Sequence, residues 1–331
     1  MLIGSFNANK PLLIPLLLII TAVLYLPAIL HPEAFPVITD SAPLSKWLLP
    51  TIYWNHYVAM GVGMALVILQ ALLINRLLNR IKFFQRINFV PALMYVVVSA
   101  MFVDFLMPGP QMFANTLVIL VLGRLFDIYK LQRCYAEIFD VGFLVAVASL
   151  FSLPAISLSL FLFIGLGSLR AFNIREYIIG LLGILTPYFL IITYYFWIDK
   201  LPDFLGEHFG SVALQTKLPN GFGLAFQVIG PAVLLMLLAA AYYLQANYLK
   251  SNIQVRKYIL LITWCLLLLG GSFVLDDGVT VKHFTIINVP LSIILSYFML
   301  HIRKRKPAEI IFTLFLLLIL VFQYLPGILN L

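Results

Sequence analysis

Asp40, in the stretch VITDSAP, is the first residue of this chain whose type and place could do chemistry. It follows the first long apolar run and precedes a short amphipathic piece, Leu44–Leu49, that contains Trp47. A carboxylate there could take a proton from an acceptor hydroxyl, or hold a metal that holds a phosphate. It could equally cap the segment that follows. Asp104 lies near the outward end of the third apolar run, and an ionisable residue at membrane depth is a functional hypothesis by default. Asp40 and Asp104 are therefore the candidate catalytic acids. Asp276, Asp277, Lys282 and His283 form the densest outer cluster. Adjacent Asp276 and Asp277 could bind a divalent cation, and Lys282 with His283 could receive a substrate phosphate. The same DDG is also a common turn sequence. His56 opens the second run from outside and could meet Asp40 or a phosphate; a histidine satisfied at the interface accounts for it as well. Glu207 and His208 are neighbours in the longest outer loop.

Only membrane spans could position these residues. The chain of 331 residues is 63% hydrophobic and 10% charged, with a mean hydropathy of +1.05. Repeated apolar runs mark an all-α, polytopic transmembrane helical bundle of about 11 spans. The loops leave no room for a sizeable soluble domain, so 1–331 reads as a single transmembrane domain. The formal charge of +8 does not point to nucleic acid, because its residues sit in short loops where they set orientation. The first run reads as a retained span rather than a removed signal peptide. Cys134 falls in a loop and Cys265 inside a span, so a disulfide between them is not expected. Walker, GxSxG and HExxH patterns are missing, which gives no support to pumps, serine hydrolases or zinc proteases of those kinds.

The middle of the chain sets the topology. Asp140–Leu169 is apolar for about 29 residues, roughly 43 Å as a helix, with Pro154 at its centre. That is long for one crossing and short for two. Arg133 before it and Arg170 and Arg175 after it put both ends on one side. It reads as a hairpin of two short helices, Val141–Leu153 and Ala155–Leu169; the alternative is one steep or kinked helix. A turn within the bilayer must be covered by protein or open to water. With the hairpin in place, the N-terminus is cytoplasmic and the C-terminus periplasmic. Of the 21 Lys and Arg, only Lys46, Lys200, Lys217 and Lys282 then lie outside. Arg124 and Asp127, at i and i+3, could pair on one helix face.

Two features together resemble the GT-C membrane glycosyltransferases: Asp40 in the first outer loop followed by the surface-lying Leu44–Leu49, and the fold-back GFLVAVASLFSLPAISLSLFLFIGLGSLRAF, Gly142–Phe172. The resemblance makes 1–188 a GT-C-like module and 189–331 a C-terminal helical module. It implies transfer of a sugar from a polyprenyl-phosphate carrier at the periplasmic face. Asp40 would be the base or metal holder, Asp104 would line the cavity, and Lys282 and His283 would meet the carrier phosphate. Several members pair two acids in that loop, whereas Asp40 stands alone here. The MLIGSFNANKP start and LLGILTPYFL also resemble an uncharacterised family of bacterial inner-membrane proteins, whose name carries no function. Two other functions fit the sequence. One is a non-catalytic subunit bound to other inner-membrane proteins. The other is a transporter or lipid flippase, which predicts ionisable residues deep in several spans. Membrane lipids are expected partners in every case.

Overall fold

A computed structural model describes residues 2–6, 13–30, 42–129, 131–210, 223–247, 252–272, 280–302 and 305–324. These residues are helical, with no strand among them. In order they form α1 (Leu2–Phe6), α2 (Leu13–Leu30), α3 (Pro43–Ile52), α4 (His56–Arg80), α5 (Val90–Ser99), α6 (Pro110–Ile128) and α7 (Tyr135–Phe151). Then come α8 (Leu158–Leu169), α9 (Ile174–Trp197), α10 (Leu201–Gly210), α11 (Leu224–Asn247), α12 (Ile253–Gly271), α13 (Asn288–His301) and α14 (Arg305–Tyr324). Among the described residues, eight helices are long and apolar enough to cross a membrane: α2, α4, α6, α9, α11, α12, α13 with its 3-10 lead from Val281, and α14. The chain therefore has the architecture of a multi-pass membrane protein.

Two short elements lie at the centre. All ten residues of α5 are buried, and so are nearly all of α13. They run antiparallel: Asp104, past the end of α5, meets Lys282, before α13, while Phe83, before α5, packs on Tyr297 near the end of α13. The third apolar run stops being α-helical at Ser99 and continues as a bend and a 3-10 turn, Val103–Phe105. Ten residues make only about 15 Å of helix. The irregular backbone that follows is tolerated because protein covers it. The Leu106 carbonyl packs so closely on Gly63 that a Cβ there would come within 2.9 Å of it, and the Tyr53 hydroxyl donates to the Pro108 carbonyl at 2.9 Å.

The mid-chain stretch folds back, as expected. α7 ends at Phe151, a 3-10 turn covers Leu153–Ser157, and α8 returns. Arg170, at the end of the second arm, donates to the carbonyls of Leu131 (2.6 Å) and Gln132 (3.0 Å), just before the first arm. Its Nε also lies 3.3 Å from the buried Glu176 carboxylate at the start of α9. The arms run Tyr135–Phe151 and Leu158–Leu169, so the first begins earlier than expected and takes in Glu137 and Asp140. Leu153, Pro154 and Ala155 at the turn are buried, which meets the requirement that protein cover the turn. The first arm lies on α9 through glycines: Gly142 faces Gly180 and Gly183, and Gly183 faces the Phe139 carbonyl. In lipid there is little hydrophobic drive between helices, and small residues that allow close backbone contact hold them together.

Helix ends sort into two groups. Phe6 and Phe89 bond backbone to backbone at 2.8 Å, Lys257 reaches the Leu169 carbonyl at 3.2 Å, and the Tyr258 hydroxyl reaches the Phe126 carbonyl at 3.0 Å. This group includes Arg80, Arg124 and Arg170 and is called the basic end. The opposite end gathers the start of α4, the turn of the hairpin, Asp104 and Lys282. α4 and α9 each start on an asparagine, Asn55 and Asn173, whose side chain accepts a backbone N–H two residues on. Each also closes with a left-handed residue, Lys82 and Asp199 (φ 52° and 56°), in the paired hydrogen-bond pattern of a Schellman end.

Ion pairs correct one expectation. Arg124 and Asp127 do not pair with each other. Asp127 is 3.1 Å from Arg80 on α4, and Arg124 is 3.5 Å from Asp140 on α7. On α6 both side chains point at neighbouring helices, where an inter-helix partner replaces the weak i, i+3 contact. Both cysteines are buried and free.

Candidate functional site

At the opposite end, an open groove of about 690 Å³ lies between α3, α7 and α9. Leu44 and Trp47 form one wall, Phe143, Val147 and Leu150 of the first hairpin arm a second, and Pro187, Leu190, Ile191 and Tyr194 the third. α9 runs helically through Pro187, which faces this space. Rings continue from the groove onto α10. Trp47 meets Tyr194 edge-on at 5.4 Å and lies parallel to Tyr195 at 6.4 Å. Tyr195 stacks on Phe204, and Phe204 stacks on His208 at 5.4 Å. The longest outer loop was not expected to hold a helix, yet α10 is there and is bound by these rings. Burial pushes the His208 imidazole down to about 4. The lining is nearly all apolar, and such a trough suits a hydrocarbon chain.

The polar candidates have structural partners of their own. Asp104 lies 3.9 Å from Lys282, and both are partly exposed. This long ion pair ties the 3-10 turn after α5 to the one before α13. The ring Nδ1 of His283 accepts the Thr280 backbone N–H at 3.0 Å and, with the Thr280 side chain, closes a capping box. His56 Nε2 is 2.9 Å from the Ala28 carbonyl and links the start of α4 to the end of α2. Asp40, Asp276 and Asp277 lie outside the described residues, as does Glu33, and nothing is described of the Glu207 side chain. α3 begins at Pro43, three positions past Asp40, so the groove wall starts close to that acid in sequence. Among the described residues, no group of three or more His, Cys, Asp or Glu could hold a metal ion.

One polar constellation escaped the sequence reading. Inside the bundle the Tyr95 hydroxyl donates to Gln70 Oε1 at 2.6 Å. Gln70 Nε2 donates to the Met112 carbonyl (2.7 Å) and to Thr116 Oγ1 (2.8 Å). Asn115 Nδ2 reaches the Thr285 carbonyl at 2.9 Å. The network joins α4, α5, α6 and the lead into α13 without any charge. Its signal in the sequence is faint: single amides, Gln70 and Asn115, within apolar runs. Buried amides in lipid hold helices to one another, each bond contributing roughly 0.6–2 kcal/mol.

No curated protein and no solved structure matches the chain. A family model does match, over residues 50–330. That range takes in His56, Asp104, Lys282 and His283 and begins past Asp40. It covers well over half of the chain, which therefore belongs to the "Family of unknown function (DUF6427)".

Proposed function

We propose that this protein is a GT-C-like glycosyltransferase of a bacterial inner membrane, taking a sugar from a polyprenyl-phosphate carrier at the periplasmic face. The observation that carries the reading is the apolar groove between the hairpin, α9 and the surface helix α3. An isoprenoid tail along Phe143, Leu150 and Ile191 would run beside α3, which begins three positions past Asp40 in sequence. The basic end faces the cytoplasm by the positive-inside rule. Eight long helices, α5 and the two hairpin arms would then make about eleven crossings.

In the proposed reaction, Asp40 accepts the proton of an acceptor hydroxyl as that oxygen attacks the anomeric carbon. A carbon–oxygen bond forms to the acceptor, and the bond from sugar to phosphate breaks. The electron pair of the broken bond leaves with the polyprenyl phosphate. Asp104 is proposed to act beside Lys282, its ion-pair partner, and Lys282 and His283 to receive the carrier phosphate. Asp276 and Asp277 are proposed to hold a divalent cation, and His56 to meet Asp40 or the substrate phosphate. The test is glycan transfer in membranes carrying Asp40→Asn. A loss of about 100-fold or more is expected of a missing general base; unchanged transfer removes the role.

One observation favours a second reading, a non-catalytic subunit of a membrane complex. The family match begins at residue 50 and leaves out Asp40. Gentle solubilisation separates the two: a subunit leaves the membrane with stable partners, an autonomous enzyme as a lone chain. A transporter draws less support, since among the described residues the polar groups buried along the spans, such as Gln70, Asn115, Asn288 and Ser292, are neutral, and the buried carboxylate of Glu176 stands at a helix end.

A further inference from the structure

A second groove, of about 360 Å³, lies at the basic end between α4 and α6, and we propose that it is a binding site for an anionic phospholipid. Arg76, Arg80 and Arg124 stand along it, with Asp127 as the one carboxylate among the described lining residues. Arg80 is engaged by Asp127 at 3.1 Å and Arg124 by Asp140 at 3.5 Å. Arg76 has neither a hydrogen bond nor an ion pair among the described residues, so the groove keeps an excess of positive charge.

The other half of the groove is hydrocarbon. Leu73 and Leu120 form walls below the arginines. Leu120 is 41% exposed, and so, at 48%, is Leu69, one turn further along α4. The groove thus runs from the guanidinium groups onto the outer surface of two span-length helices. Guanidinium groups bind phosphate oxygens in a fork, and basic pockets between membrane helices hold anionic headgroups. A free phosphate would leave the leucine half unused. A phospholipid fills both halves, with its phosphate on Arg76 and the first part of an acyl chain along Leu73 and Leu120. The site lies at the end of the bundle away from the α3–α7–α9 groove and does not depend on the proposed transfer activity.

Native mass spectrometry of the full-length, detergent-purified protein tests this, with phosphatidylglycerol and phosphatidylcholine as probes. One saturable phosphatidylglycerol, bound at least tenfold tighter than phosphatidylcholine, is expected. Arg76→Gln should weaken it about five- to tenfold, since one charge-assisted contact is lost. Leu120→Trp should weaken it comparably with every charge in place, and it carries the test alone should Arg76→Gln fail to fold. Arg175→Gln, on α9 and outside the groove lining, should leave binding unchanged. Equal binding of the two lipids would overturn the proposal, as would full affinity in both Arg76→Gln and Leu120→Trp. So would loss of binding in Arg175→Gln alone, or displacement of the lipid by millimolar glycerol phosphate, which would make the site one for a soluble phosphate.

Discussion

Replacing Gly183 by alanine should loosen the hairpin from α9 although it adds only one methyl group. A Cβ at this position would lie 2.5 Å from the Phe139 carbonyl oxygen and 3.2 Å from the Gly142 Cα. Carbon–oxygen contacts settle near 3.3–3.6 Å, so α7 and α9 must part by roughly 1 Å. Overpacking of this kind costs about 1–3 kcal/mol. Alanine also favours a helix over glycine by about 0.5–1 kcal/mol, which offsets part of the loss. Gly61→Ala on α4 isolates that second effect, because a Cβ there meets nothing within 4 Å. The two variants should therefore differ by about 1–3 kcal/mol, a factor of roughly 5 to 150 in the folding equilibrium. Reversible unfolding in mixed micelles, titrated with a denaturing detergent and followed by tryptophan fluorescence, measures the difference. Equal stability of Gly183→Ala and Gly61→Ala would refute the close approach of α7 and α9.

Two further outcomes follow from buried polar groups. His208 is held neutral in the docked α10, with its imidazole pushed down to about 4 by burial. Undocked, it would titrate near 6.5, so the undocked form takes up the proton first. Docking is thus complete above about pH 6.5 and weakens as pH falls toward 4, by about 1.4 kcal/mol per unit. The ring series from Trp47 to His208 should report this as a pH-dependent change in tryptophan emission, missing in His208→Phe; the same change in that variant would sink the assignment. Gln70→Leu should cost about 1–3 kcal/mol by stranding the Tyr95 hydroxyl, and the double change Gln70→Leu/Tyr95→Phe should recover most of it. A thermal-melting cycle in detergent checks this, and purely additive losses would show that the two side chains act separately.

Much of the architecture was legible in one dimension because a bilayer makes it so. Each crossing needs a run of apolar residues, and irregular backbone is costly there, so span-length helices stand out in a bare sequence. The fold-back was readable for a related reason: arginines at Arg133 and Arg170 flank a run too long for one pass and too short for two. The short α5 was not readable. VPALMYVVVS is apolar like a span, and the helix can stop at Ser99 because protein covers the backbone beyond it, the Leu106 carbonyl lying against Gly63. α10 was hidden as well, since its ten residues carry the charges of an ordinary loop and gain their place from rings on other helices.

Composition and the spacing of basic residues thus determined that this is a multi-pass helical protein with a mid-chain reversal, because bilayer thickness and charge are read along the chain. Which helices touch, and which polar groups meet, came only with the packed bundle. Nothing in the order of residues pairs Arg80 with Asp127, Asp104 with Lys282, or Tyr95 with Gln70. Nor does it seat Gly183 against Phe139. Between helices in lipid, association depends on close backbone approach and on satisfying buried amides, and both are properties of facing surfaces rather than of any single run.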